Sequence, residues 1–170
     1  PEAYRFADFL RRSHQKVWQT LPINPVTAHG GYSPYSASSA FAGNPLFINP
    51  DLLVNEGFLD QDVLDEIKLV NKGQTDYENA VDIKKIVHEE AYENFIRNNM
   101  RMKEFEKFSS REAHWLEDYA LYVSLKQYFE GKPWYEWPRE IKHRRPEGLE
   151  KYRERLAEQI YKEKFLQFIF

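Results

Sequence analysis

The triplet Ser33-Pro34-Tyr35 stands inside a stretch, residues 24–45, that is rich in glycine, proline, serine, alanine and aromatic side chains. A hydroxyl and an aromatic face held apart by one proline suit a sugar ring: the aromatic stacks on it and the hydroxyl hydrogen-bonds to it. The proline fixes the backbone between the two, so their separation is constant. Further on, Phe41-Ala42-Gly43-Asn44 offers a glycine that permits a turn and an amide at its end. The same residues also describe an ordered surface loop with a buried tyrosine, and their spacing leaves both readings open.

Other chemistry-bearing residues point elsewhere. Glu89-Glu90 and Glu117-Asp118 are paired carboxylates. Neighbours on a helix diverge by about 100°, so neither pair converges on one reacting atom, and solvated faces or ion pairs are the expectation. His14, His29, His88, His114 and His143 are scattered without metal-ligand spacing. His29 lies in the loop and is expected to be exposed there. Lys142-His143-Arg144-Arg145 is short and flanked by Glu140 and Glu147, too balanced for nucleic acid. Trp134 and Trp137, each beside a proline, are expected to pack a turn onto helices rather than form a sugar platform.

Composition narrows the classes. The 170 residues suit one domain or a piece of a larger one, and 42% hydrophobic content supports a core. Charged residues at 30% argue against a membrane span, and a formal charge of −3 gives no basic face. The aromatic share of 16% is high, which fits both large cores and sugar platforms. With no cysteine there is no disulfide framework, thiolate metal site or thiol nucleophile. No signal-peptide pattern or lipidation motif occurs, so the expected location is the cytoplasm.

The elements that would position the loop are mostly helical. Residues 3–13 predict an amphipathic helix carrying Tyr4, Phe6, Phe9 and Leu10 on its apolar side. Residues 17–23, from Val17 through Trp18 and Leu21 to Ile23, read as a buried strand. A long loop follows, of the kind that is usually functional. A short helix from Pro50 to Val54 and another from Asp60 to about Val70 come next, with a break at Asn71-Lys72-Gly73. A longer helix spans Tyr77 to Arg97. Ser109 and Glu112 form a capping-box pattern for a helix from Arg111 to about Glu130, apolar on more than one face. A last helix starts near Pro146 with Leu149, Tyr152, Leu156 and Ile160 on one stripe. A lone strand lacks partners, and the final residues 165–170 are apolar. Both features predict a piece of a larger fold, the alternative being a helical domain that docks both ends in its own core.

Four blocks carry a family resemblance. They are Trp18-Gln19-x-Leu21-Pro22, Ser33-Pro34-Tyr35 with Ser39-Ala40-Phe41-Ala42-Gly43-Asn44-Pro45, Trp115-Leu116-Glu117-Asp118-Tyr119-Ala120-Leu121, and Lys132-Pro133-Trp134 with Glu136-Trp137-Pro138. In this order and spacing the chain resembles an N-terminal portion of the amylomaltases, 4-α-glucanotransferases of the α-amylase superfamily. The resemblance implies an α/β parent fold, a (β/α)₈ TIM barrel. This chain would be a mostly helical fragment of it with about one buried barrel strand. Residues 1–49 would be the barrel segment with its substrate loop, 50–145 a helical insertion subdomain, and 146–170 a long helix leading back to the barrel.

The resemblance further implies retaining transfer of α-1,4-glucan segments between maltodextrins, with no metal or organic cofactor. Ser33, Pro34, Tyr35 and Asn44 would bind the glucan, and Tyr35 would stack on it. The family's catalytic Asp, Glu and Asp belong to later strands, so no catalytic residue is expected here and the fragment is expected to be inactive. Partners would be the glucan and the remainder of the same barrel. Where some bacterial members place two tyrosines at a secondary glucan site, this chain has Gly30 and Val81. A non-catalytic glucan-binding helical module and a helical protein that docks a partner are the competing readings.

Overall fold

The computed structural model describes residues 2–67 and 76–170. Helix α1 (Glu2–Arg12) opens the chain, and α2 (Pro50–Asn55) and α3 (Gln61–Glu66) follow the long loop. The bundle is built by α4 (Tyr77–Arg97), α5 (Met102–Arg111), α6 (Ala113–Tyr128), α7 (Arg139–Lys142), α8 (Pro146–Arg155) and α9 (Ala157–Ile169). Several starts are written in the sequence. The Asn49 side chain accepts from the backbone N–H of Asp51 and Leu52, with Pro50 in the first turn, and Asp76 accepts from Asn79 N–H. The expected break at Asn71-Lys72-Gly73 lies outside the described residues.

Three expectations need correction. Among the described residues there is no strand, and residues 15–23 run as irregular chain with Val17 81% and Leu21 61% exposed. The β-rich composition is there, but a strand needs a neighbour along its length to take its backbone hydrogen bonds, and the bond from Asn44 N–H to Ile23 O engages only its last residue. Ser109 does not cap a helix, because it lies inside α5; helix α5 continues into α6 through a kink. There Glu112 N–H donates to Phe108 O at 2.9 Å and Leu116 N–H to Glu112 O at 3.0 Å. The Glu112 carboxylate turns to the Trp115 indole N–H at 2.9 Å instead of to a cap. The last helix is likewise kinked, at Leu156, between α8 and α9.

Two apolar clusters form the interior. One gathers Phe58, Val87, Phe95, Phe105 and Phe165 from the α2–α3 region, α4, α5 and α9, with Phe95 and Phe165 stacked at 4.5 Å. The other gathers Leu121, Leu125, Trp137, Tyr152 and Ile160 from α6 to α9. Helix α9 packs against α4, α5, α6 and α8 and contributes to both clusters. The apolar run at residues 165–170 is therefore largely spent inside this chain: Phe165 and Leu166 are buried, and Phe168 and Ile169 pack on the same cluster. Helix α6 buries Leu116, Tyr119, Ala120, Leu121, Ser124 and Leu125, the two-sided burial expected of it. Helix α1 differs, since none of its residues is buried; the Phe6 ring meets Trp18 edge-on and stacks on Phe9 beside it.

Candidate functional site

The loop from residue 24 to residue 49 is a succession of short turns, each closed by a polar side chain. Single 3₁₀ turns occupy Ala28–Gly30, Pro34–Ser36 and Pro45–Phe47. Thr27 Oγ1 accepts from Gly30 N–H, Ser33 Oγ from Tyr35 N–H at 3.3 Å, and Asn44 Oδ1 from Leu46 N–H at 3.1 Å. Ser39 Oγ accepts from both Phe41 and Ala42 N–H at 3.1 Å. Small hydroxyl and amide side chains bond readily to backbone a few residues on, so this composition codes for ordered turns without helix or sheet. Gly31 takes a left-handed φ of 64° after the first turn, and Tyr32 follows at φ 53°.

The second turn sets the candidate sugar contacts. Ser33 and Tyr35 stand on either side of Pro34, joined by the Ser33 cap, and the Tyr35 ring is 76% exposed. That exposure leaves the side chain accessible for stacking on a flat ligand. Asn44 is placed differently. It is 4% exposed, its amide oxygen holds the next turn, and its N–H donates to Ile23 O at 2.9 Å. Tyr32 lies flat on Tyr77 at the start of α4, with centroids 4.5 Å apart and planes 11° from parallel.

The far end of the loop is anchored to two helices. Gln167 of α9 accepts from Gly43 N–H at 2.9 Å and donates to Gly43 O at 3.1 Å. Lys84 of α4 donates to Ile48 O, and His88 bonds to the Pro45 backbone. Burial pushes the Lys84 ammonium down to about 8, against the pull of Asp51. Burial, with neighbouring Lys84, pushes His88 down to about 4, so this imidazole is neutral. Between Phe41–Gly43, the α5–α6 kink and the end of α9 lies a groove of about 610 Å³. Phe41 and Trp115 line it with ring centroids 6.3 Å apart and planes 15° from parallel, with Arg111 and Glu112 at its polar side.

Three of the four paired carboxylates are held in ion pairs. Glu89 meets Lys162, Glu117 meets Lys164 at 2.6 Å, and Asp118 meets Arg144 at 2.8 Å. His29 is exposed. Trp137 is buried and donates to Lys132 O at 3.0 Å, whereas Trp134 is 53% exposed beside Tyr135. Sequence reasoning passed over Glu163, which is buried between α6 and α9 and accepts from Gln127 Nε2 at 3.0 Å; burial pushes its carboxyl up to about 7. It also passed over Gln167, although a lone polar residue in the apolar run 165–170 is a signal that could have singled it out. Among the described residues no group of three His, Cys, Asp or Glu could hold a metal, and no helix is long and apolar enough to cross a membrane.

The chain matches the 4-alpha-glucanotransferase family profile over residues 1–170. A 4-alpha-glucanotransferase of Aquifex aeolicus is 40% identical over 169 residues, covering 99% of this chain and 33% of the relative. One from Clostridium butyricum is 41% identical over 169 residues, covering 99% of this chain and 34% of the relative. The solved amylomaltase of Streptococcus agalactiae, in complex with acarbose, superposes with a TM-score of 0.87 at 34% identity. It covers all of this chain and 34% of that one. The chain thus spans about a third of the length of the relatives it matches.

Proposed function

The chain belongs to the 4-alpha-glucanotransferase family, and from that premise we propose that the full-length protein moves α-1,4-glucan segments between maltodextrins. The match along the whole chain carries this reading, and the exposed Ser33-Pro34-Tyr35 turn agrees with it. The reaction is a retaining double displacement. A carboxylate attacks the anomeric carbon as the glycosidic C–O bond breaks, and a carboxylic acid gives its proton to the leaving oxygen. The 4-hydroxyl of an acceptor glucan then attacks the glycosyl-enzyme and returns its proton to that residue. These groups are assigned outside this chain, because the catalytic Asp, Glu and Asp of the family belong to later strands of the barrel.

In this reading the parent fold is a (β/α)₈ barrel. Residues 1–49 supply a helix, a strand and a substrate loop, 50–145 a helical insertion, and 146–170 the return. The exposed apolar side chains Phe6, Phe9, Val17, Trp18, Leu21 and Ile23 support it: they belong to the first segment, Phe6 packs on Phe9 and Trp18, and all six suit burial against the remainder of the barrel. Residues 17–23 would gain there the strand partners they lack. Active sites of such barrels sit on the loops that leave the strands, the position this gives the loop after residue 23. Ser33 would hydrogen-bond a glucose unit, Pro34 fix the spacing, and Tyr35 stack on the ring. Asn44, buried and capping a turn, would serve by shaping the loop's end. The location would be the cytoplasm.

Incubating the full-length protein with maltotriose tests the reading. Release of glucose with a ladder of longer maltodextrins is the expected result. Maltodextrin binding without transfer would replace the enzyme by a glucan-binding module. Residues 1–170 alone are expected to give no transfer.

A further inference from the structure

We infer that Gln167 is a positioning residue for the glucan-contacting loop: its carboxamide on α9 clamps the backbone N–H and C=O of Gly43 and thereby sets the loop that carries Ser33 and Tyr35. The inference rests on the reading that this loop contacts glucan. Its basis is geometric. Gln167 is 5% exposed, and its two bonds to Gly43 are antiparallel, one accepted at 2.9 Å and one donated at 3.1 Å. That pattern is the closed pair two strands exchange, supplied here by one side chain to a loop that has no strand beside it. Both partners are buried, so neither bond competes with water, and losing the carboxamide strands a peptide N–H and a C=O together.

The surroundings fit this one contact. Gly43 has no side chain where the Phe170 ring lies; a Cβ there would fall 2.1 Å from the ring carbons. The glycine therefore lets the loop backbone come close enough to α9 for a glutamine to reach it. On either side of Gly43 the loop is already committed: Ala42 O accepts from Asn24 Nδ2 at 3.0 Å, and Asn44 N–H donates to Ile23 O. The N–H and C=O of Gly43, which complete those same two peptide units, are taken by α9. A helix that anchors both apolar clusters thus fixes the end of the loop, while the Tyr32–Tyr77 stack fixes its beginning. The turn bearing Ser33 and Tyr35 lies between these two pins. Gln167 itself is buried and touches no sugar in this scheme.

The test uses the full-length protein and three variants. Gln167→Leu removes both bonds at similar volume, Gln167→Glu keeps the acceptor for Gly43 N–H and loses the donor, and Gln167→Asn is too short to reach. In Gln167→Leu the backbone amide of Gly43 is expected to lose its hydrogen-exchange protection while α4 and α6 keep theirs. The kcat/KM for maltotriose is expected to fall about 10- to 100-fold, the scale of a displaced positioning group. Gln167→Glu should fall between Leu and wild type, and Gln167→Asn should resemble Leu. Unchanged kcat/KM with Gly43 deprotected would overturn the positioning role. So would unchanged Gly43 protection in Gln167→Leu, or protection lost throughout α4 and α6 in proportion to the activity. Failure of the underlying reading looks different, because the wild-type protein would then show no transfer at all.

Discussion

Tyr35 and Glu163 are opposite cases of what one side chain can reveal. Tyr35 is exposed and caps nothing with its ring, so its removal should leave stability within about 0.5 kcal/mol. If it stacks on glucan, Tyr35→Ala in the full-length protein lowers kcat/KM by roughly 1–3 kcal/mol of transition-state binding. Steady-state kinetics on maltotriose checks this, and unchanged kinetics removes Tyr35 from the site. Glu163 is buried, with Gln127, Tyr119 and Lys162 as its polar and charged surroundings. Its carboxyl titrates near 7 rather than 4.5, so between those values the folded protein holds a proton that the unfolded chain has released. Stability falls as pH climbs through that window. His88 works in the other direction: pushed from 6.5 to about 4, it makes stability fall as pH drops through that range. Glu163→Gln deletes the first effect alone. Its stability relative to wild type should therefore rise between pH 5 and pH 8, by on the order of 3 kcal/mol. Urea midpoints across that range measure the difference, and a gap that does not change with pH would show an ordinary carboxylate.

At the scale of elements, the ends of helices were more legible than their kinks. The starts at Pro50 and Tyr77 were read from the sequence, and the structure adds their caps, Asn49 and Asp76, which depend on a few local atoms. Asn49→Ala should accordingly cost about 1 kcal/mol, read as a lowered urea midpoint. An unaffected midpoint would mean that α2 is held by packing at Leu53 alone. The α5–α6 and α8–α9 kinks were not legible. Ser109 and Glu112 carry the letters of a cap, yet the helix runs through them because Phe105 and Leu116 are both drawn into the interior. Long-range burial overrode a local signal. Residues 17–23 show the converse: strand propensity is written there, but pairing depends on atoms that sequence neighbours do not supply. In the loop, Ser33, Pro34 and Tyr35 stood out by type and spacing, and the family resemblance supplied their proposed role. The Gln167 clamp was not, since its two partners are separated by 124 residues.

At the scale of the molecule, the two apolar clusters are joined by α9, which places Ile160 in one and Phe165 in the other. They should lose structure together. Phe95→Ala and Leu121→Ala, in different clusters, are expected to cost about 3–5 and about 2–5 kcal/mol. Each should lower the exchange protection of α4 and α6 alike in the full-length protein. Protection lost in one helix only would divide the bundle into two independent units.

The reach of the Gln167 clamp also has a meaning in time. A ribosome making this chain releases Gly43 long before it reaches Gln167, 124 residues later. At about 5–20 residues per second that interval is roughly 6–25 s. Throughout it the emerging loop has its own capped turns but no α9 to lean on. Its final shape is thus postponed until the bundle has been synthesised, and the order of manufacture makes the loop among the last parts of this chain to set.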